Sequence, residues 1–122
     1  MNQDGLKYVT MAELKQQMRV DYEEEDSIIR AYGRAAEDAI VKGTSRSEDE
    51  LLRMGYEEEM GQVPTAEEMV GVEYFPSRLK VAILMFAANL YRNREPVASV
   101  AQNAVPYSFD VLTKPYKRLK NG

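Results

Sequence analysis

The segment that most constrains the fold is an apolar stretch that begins after Pro76 and Ser77 and stops before Pro96. This spacing predicts an α-helix over about residues 78–94, because a proline suits the start of a helix and cannot continue one. One stripe of this helix would comprise Leu79, Ile83, Phe86, Leu90 and Tyr91, whereas Val81, Leu84, Met85 and Ala88 point elsewhere. A helix that is apolar on every side has to be buried on every side. A few short neighbouring helices cover it only in part, so we expect surplus apolar surface that serves as a subunit interface.

Two capping patterns predict helices before this segment. Thr10 with Glu13 is a capping box and predicts a first helix over about residues 11–18. Asp21 with Glu24 repeats the pattern and predicts a second helix that runs to about Lys42 and stops at Gly43. Its apolar stripe would comprise Ile28, Tyr32, Ala35, Ala36, Ala39 and Ile40. Gly33 within this helix lowers helix propensity by about 1 kcal/mol, which indicates close approach of another backbone.

Residues 44–75 carry two more helix-start patterns, Ser47 with Glu50 and Thr65 with Glu68. The glycines and the proline in this segment limit helix length, so we predict two short helices. A last short helix is expected from Ser108 to Thr113, where Pro115 breaks the chain before a basic tail. The predicted fold class is all-α, a small bundle of about four to five helices around the apolar helix at residues 78–94. At 122 residues we expect one domain over residues 1–122, with an irregular acidic insertion at residues 44–75.

The composition argues against an enzyme. The chain has no Cys and no His, which removes the thiolate nucleophile, the zinc ribbon and the base of a hydrolase triad. Acidic runs at residues 23–26, 48–50 and 57–59 are interpreted as helix starts or solvated faces rather than metal ligands, since none has a calcium-loop spacing. We therefore expect no catalytic residue, no metal and no cofactor. The longest apolar run, residues 81–88, is far shorter than the roughly 20 residues of a membrane span, so no membrane partner is expected.

Charge is distributed unevenly along the chain. Residues 44–75 hold nine acidic residues against two arginines, a net −7, whereas residues 76–122 hold eight basic residues against two acids, a net +6. Such asymmetry indicates a partner of opposite charge or a head-to-tail contact between copies, and solvated helix faces are the alternative. The acidic candidates are Glu57, Glu58, Glu59, Glu67 and Glu68, and the basic ones are Lys114, Lys117, Arg118 and Lys120. The basic group is also a candidate for contact with DNA phosphates, and a helix end whose cations complement its own dipole is the alternative.

Two stretches resemble the small head-tail connector proteins, often labelled DNA-packaging proteins, of long-tailed bacteriophages and prophages. The first covers residues 8–42 and includes VTMAELKQQMRVD and EEEDSIIRAYGRAAEDAI. The second covers residues 79–118 and includes LKVAILMFAANLYRNRE and VPYSFDVLTKPYKR. The motif YRNRE at residues 91–95, followed by PYSFDVL and PY, carries most of the resemblance. Two features depart from it, because residues 55–75 are longer than the family's usual connection and Ser108 stands where a glycine is common.

The resemblance implies a structural virion protein with no catalytic residues to carry over. Members of the head-tail connector family form a ring of about a dozen copies below the portal protein, and this ring extends the DNA channel towards the tail. The implied partners are copies of the chain, the portal protein, a tail-side head-completion protein, and DNA that passes without sequence-specific binding. The implied location is the head-tail junction of the virion, after synthesis in the host cytoplasm. Ile83, Phe86, Leu90, Tyr91, Arg94 and Glu95 are the core or interface candidates, and we expect Arg94 and Glu95 to make structural pairings.

Two other functions are compatible with the sequence. One is another packaging component, such as a small DNA-recognition subunit, which would require a helix-turn-helix with a basic second helix. The second predicted helix is acidic at its start instead. The other is a helical interaction module unrelated to phage.

Overall fold

A computed structural model describes residues 5–65, 68, 70–93 and 113–116 of the chain, and the regular structure in these residues is entirely helical. The all-α prediction is confirmed for this part of the chain. Its α-helices are α1 (Met11–Met18), α2 (Asp26–Gly43), α3 (Glu48–Met60) and α4 (Ser77–Asn93). Short 3-10 turns occupy Val72–Tyr74 and Lys114–Tyr116. Among the described helices none is both long and apolar enough to cross a membrane.

Helix α1 begins and ends where the sequence predicts. The Thr10 hydroxyl accepts a hydrogen bond from the Glu13 amide at 3.1 Å, and the Glu13 carboxylate accepts one from the Thr10 amide at 2.9 Å. This reciprocal capping box satisfies two amides that the first turn leaves without partners. Arg19 ends the helix in the left-handed conformation, with a φ of 61°.

The predicted start of α2 at Asp21 is wrong, because the helix begins at Asp26. The acids before it do not cap it. The Glu25 carboxylate instead accepts hydrogen bonds from the hydroxyls of Tyr22 and Tyr91, and the Asp26 carboxylate pairs with Lys15 of α1 at 2.8 Å. The side chains at this end of α2 are therefore occupied by tertiary contacts rather than by the helix amides.

The predicted apolar stripe of α2 is also partly wrong. The buried positions are Ile29, Tyr32, Gly33, Ala36, Glu37 and Ile40. Ile28 is 37% exposed, and Ala35 and Ala39 are half-buried. The buried stripe is therefore rotated so that Glu37 falls inside it, which the apolar pattern did not predict. Gly33 does mark a close approach, but to a side chain, because an added Cβ would lie 2.5 Å from Leu14 Cδ1.

Helix α3 is longer than predicted for this segment, since it passes through Gly55 and ends at Gly61 in the left-handed conformation. Gly55 does not stop the helix because it serves for close packing. A Cβ at this position would lie 1.7 Å from the Tyr74 carbonyl oxygen. At the second predicted start, the Glu68 carboxylate accepts a hydrogen bond from the Thr65 amide at 2.9 Å. Residues 66, 67 and 69 lie outside the described part, so a helix there stays a prediction.

Helix α4 packs against α2 and α1. Eight of its residues are buried, including Leu79, Ile83, Phe86 and Leu90. Lys80 of α4 pairs with Glu13 of α1 at 2.7 Å, which fixes the two helix starts against each other. Val81 and Met85 are 45% and 41% exposed, so the apolar circumference of α4 is covered on only part of its surface within the described residues.

Residues 113–116 lie against α3. The Tyr116 ring is almost fully buried, and its hydroxyl donates a hydrogen bond to the Glu58 carboxylate at 2.7 Å. Arg46 Nε donates to the Tyr116 carbonyl at 2.7 Å. Of the predicted helix from Ser108 to Thr113, only Thr113 belongs to the described residues, and it is buried.

Candidate assembly interface

The N-terminal segment before α1 is held by a buried carboxylate on α2. Glu37 is 6% exposed, and one of its oxygens accepts hydrogen bonds from the amides of Lys7 (2.9 Å), Tyr8 (2.6 Å) and Val9 (3.2 Å). Three consecutive amides around one carboxylate compensate the cost of burying its charge. Sequence reasoning did not identify Glu37 as a functional residue. The available signal was its position four residues after Gly33, on the side of α2 that also carries Ile40.

Tyr8 joins the N-terminal segment to two further elements. Its hydroxyl donates a hydrogen bond to the Glu48 carboxylate at the start of α3. Its ring stacks on Phe75, with ring centroids 4.0 Å apart and an interplanar angle of 15°. Burial, and then the hydrogen bond to Glu48, raise the pKa of the Tyr8 hydroxyl above its ordinary value. Residues 5–9, α3 and the entry to α4 are thus fixed relative to one another.

A second tyrosine cluster joins the C-terminal part of α4 to the start of α2. The Tyr91 hydroxyl donates a hydrogen bond to Glu25 at 2.5 Å, and the Tyr22 hydroxyl donates to the same oxygen at 2.8 Å. The hydrogen bond to Glu25 and the contact with Tyr22 raise the pKa of the Tyr91 hydroxyl. This cluster and the Lys80–Glu13 pair at the other end fix α4 to its neighbours near both of its ends.

With α4 fixed in this way, its outward side forms one surface, here called the basic α4 face, which comprises Arg78, Val81, Met85 and Arg92. All four residues are exposed. Their spacing of three, four and seven residues places them on one side of a helix with 3.6 residues per turn. The face therefore has an apolar centre with an arginine on either side.

A second outward surface lies on α3 and is here called the acidic α3 face, comprising Asp49, Glu57 and Met60. These residues are exposed, and Met60 is 49% exposed. Arg53 lies between the two acids, and its guanidinium reaches the Thr65 carbonyl at 3.5 Å. Val63, 67% exposed, follows the end of the helix. This surface combines negative charge with exposed apolar side chains, as the α4 face combines positive charge with them.

The structure places the predicted residues in three groups. Ile83, Phe86, Leu90 and Tyr91 are buried within the chain's own core. Glu57, Glu58, Glu59, Glu68 and Lys114 are exposed, and Glu58 is bonded to Tyr116 of the same chain. Glu67, Arg94, Glu95, Lys117, Arg118 and Lys120 lie outside the described residues, so their predicted pairings stay predictions.

The acidic side chains do not converge on an ion site in the described part of the chain, where no group of three or more His, Cys, Asp or Glu residues is placed to hold a metal. The carboxylates with the closest contacts are engaged otherwise. Glu37 binds backbone amides, and Glu25, Glu48 and Glu58 accept hydrogen bonds from tyrosine hydroxyls. These contacts fix helices against one another.

Comparison with protein-family models gives a match to the phage gp6-like head-tail connector protein family over residues 8–120. This chain belongs to that family. The match extends from the capped start of α1 past the buried Tyr116, so it includes the four α-helices of the described residues. No curated protein and no solved structure gives a significant match. The resemblance inferred from residues 8–42 and 79–118 is confirmed, and membership of this head-tail connector family gives the protein a structural role in phage particles.

Proposed function

We propose that this head-tail connector is a ring-forming subunit of the junction between the phage head and tail. In this proposal copies of the chain assemble below the portal protein and extend the DNA channel towards the tail. The observation that carries the proposal is the family match over residues 8–120. The number of copies, about a dozen, is taken from the resemblance to the family.

The structure supports assembly in two ways. A ring subunit presents different surfaces to its two neighbours, and unlike surfaces with complementary charge suit such a contact. The basic α4 face and the acidic α3 face have this property. The hydrogen bonds of Tyr8, Tyr91 and Tyr116 also hold the helices in fixed relative positions. A fixed angle between the two contact surfaces is what allows a chain of subunits to close.

The proposed partners are copies of the chain, the portal protein on the head side and a head-completion protein on the tail side. DNA would pass through the ring without sequence-specific binding. The proposed role is mechanical and requires no catalytic group.

Two experiments test the proposal. Electron microscopy and native mass spectrometry of the purified protein, alone and with portal rings, should show a closed ring that binds the portal. In a phage whose gene for this chain is interrupted, DNA-filled heads should accumulate without tails. Infectious particles at normal yield from that phage would contradict the proposal. Binding of the isolated chain to one DNA sequence at physiological salt, far above its binding to other sequences, would favour the DNA-recognition alternative.

A further inference from the structure

Two outward surfaces of this chain carry opposite charge, and both expose large apolar side chains. From this we infer that the basic α4 face of one copy contacts the acidic α3 face of a second copy. The inference rests on the proposed function, in which copies form a ring, and it names the surfaces that meet.

The basic α4 face has the dimensions of a helix-sized contact. Arg78 and Arg92 are 14 positions apart, about 21 Å along a helix at 1.5 Å per residue. Val81 and Met85 lie between them and are 45% and 41% exposed, while eight other residues of α4 are buried. Lys80 is bound to Glu13 of α1. Arg78 and Arg92 are therefore the cations that flank the apolar centre of α4.

The acidic α3 face complements this surface, because it carries the opposite charge and also exposes an apolar side chain. Asp49 and Met60 are 11 positions apart, about 16 Å along a helix. Glu57 and Arg53 lie between them, and the Arg53 guanidinium donates a hydrogen bond to the Thr65 carbonyl of its own chain. Residues 44–75 as a whole carry a net charge of −7. Met60 is 49% exposed, so the face offers an apolar contact for the exposed side chains of α4.

The proposed occupant of the α4 face is the acidic α3 face of a second copy, because like charges repel and unlike charges attract. Contact between two basic faces would bring four arginines together, whereas contact with the acidic α3 face brings arginines towards Asp49 and Glu57. When two copies join through unlike faces, the pair still has one free basic face and one free acidic face. Further copies can therefore add at both ends, and the assembly either closes into a ring or extends as a filament.

Of the C-terminal basic segment, only residues 113–116 are described, and Lys114 is exposed among them. Tyr116 is buried against α3 of its own chain, where it binds Glu58 and Arg46. A contact of Lys117, Arg118 and Lys120 with a neighbouring copy stays a prediction, since these residues lie outside the described part. Arg78 and Arg92 are described and exposed on α4, and the charge of Arg78 also acts on Tyr116 of its own chain.

Disulfide mapping tests the contact directly, since the native chain has no cysteine. Met85→Cys and Met60→Cys are made as separate proteins, mixed during assembly and oxidised. We expect a cross-linked dimer from the mixture and little from either variant alone. Gln17→Cys, at an exposed position on α1, mixed with Met85→Cys is the matched control and should not cross-link. Self-cross-linking of Met85→Cys at the level of the mixture would overturn the inference, because it would place two α4 faces together.

Charge exchange gives a second, independent test. Arg78→Glu with Arg92→Glu reverses the α4 face, and Asp49→Lys with Glu57→Lys reverses the α3 face. Each double variant should associate at least about tenfold more weakly than the native chain at low salt, where exposed charges are least screened. An equal mixture of the two, or one chain that carries all four changes, should recover association.

The outcomes separate the inference from the proposed function. Sedimentation velocity measures association, and far-UV circular dichroism shows that each variant is folded. Lys42→Glu, an exposed charge reversal on α2, is the control and should associate as the native chain does. Native-level association of both reversed faces would overturn the surface assignment while leaving the proposed function intact. A native chain that stays monomeric, alone and with the portal, would contradict the proposed function itself. If charge reversal of the α4 face removed DNA binding and left association between copies unchanged, the face would be a DNA contact and the inference would fail.

Discussion

Substitution of Gly55 by alanine separates what helix propensity predicts from what the tertiary structure requires. In an exposed helix this change stabilises by about 1 kcal/mol. Gly55 is buried within α3, and its added Cβ would lie 1.7 Å from the Tyr74 carbonyl oxygen and 3.1 Å from the Pro76 nitrogen. Both atoms belong to the backbone, so neither can rotate away. The segment that leads into α4 would have to move instead.

The size of the effect follows from that displacement. The contact must open by more than about 1 Å before it reaches a distance that real Cβ atoms adopt. Movement of this size would loosen Phe75 from the Tyr8 ring on which it stacks. Overpacking costs about 1 to 3 kcal/mol, and a clash with backbone belongs at the upper end. After subtraction of about 1 kcal/mol for propensity, Gly55→Ala should destabilise by about 2 kcal/mol. For a chain of this length that lowers the melting temperature by roughly 6 to 10 °C.

Two other helical glycines provide internal controls. Gly43 at the end of α2 has no atom within 4 Å of the added Cβ, so Gly43→Ala should stabilise by up to about 1 kcal/mol. Gly33→Ala should fall between the two, because the Leu14 side chain that it meets at 2.5 Å can adjust. Urea unfolding followed by circular dichroism measures all three, with unchanged denaturant slopes expected. A Gly55→Ala protein as stable as the native one, with Gly43→Ala no more stable, would refute the reasoning.

Three further predictions concern the core and the contacts that fix the helices. Phe86→Ala should destabilise by about 3 to 5 kcal/mol and unfold much of the population at 37 °C, as judged by thermal melting, because the ring is 4% exposed. Glu37→Ala should cost about 2 to 4 kcal/mol, and Glu37→Gln less, because three amides lose a charged acceptor. Burial opposes ionisation of Glu13, but Lys80 and Thr10 outweigh it and hold the pKa of its carboxyl below the usual value. The stability from the Lys80 pair is therefore present above the unfolded pKa of about 4.3 and is lost as pH falls through the lower folded value, a loss that melting temperatures measured against pH should show.

Each of these predictions has a control. Met85→Ala removes an exposed apolar side chain from the same helix and should change stability far less than Phe86→Ala. Asp38→Ala, next to Glu37 but exposed, should be nearly neutral. Lys80→Met should reduce the loss of stability in acid, and an acid profile identical to the native one would show that the ion pair contributes nothing. Equal stability of Glu37→Ala and the native chain would mean that the N-terminal segment is held by apolar contacts alone.

Local signals were sufficient wherever structure depends on residues a few positions apart. The capping boxes at Thr10 with Glu13 and at Ser47 with Glu50 mark the starts of α1 and α3. The apolar stripe before Pro96 predicts α4, whose described residues Ser77–Asn93 agree with the expected bounds to within one residue. A capping box joins residues three apart, and an apolar stripe repeats every three or four, so both are visible without knowledge of the fold. The YRNRE motif and its spacing were likewise sufficient to recognise the family.

Only the tertiary structure decided which helix-start and helix-stop patterns mark real helix ends, and which side chains contact one another. Asp21 with Glu24 has the pattern of a helix start, yet α2 begins at Asp26, and Glu25 before it accepts hydrogen bonds from the nearby Tyr22 and from Tyr91 of α4. Gly55 was expected to limit the helix, yet it lies inside α3. The absence of a side chain there allows the Tyr74 carbonyl oxygen to pack directly against the helix.

The same holds for the sides that helices bury. Glu37 reaches amides about 30 positions earlier in the chain, and Tyr116 reaches Glu58 across 58 positions. Burial of a helix side depends on where the neighbouring helices lie, and that is set by contacts between residues distant in sequence. The net charges of two segments, by contrast, follow directly from their amino-acid composition. That the exposed cations lie beside Val81 and Met85 on α4, whereas Tyr116 of the basic C-terminal segment is bound to its own α3, could be seen only in the folded chain.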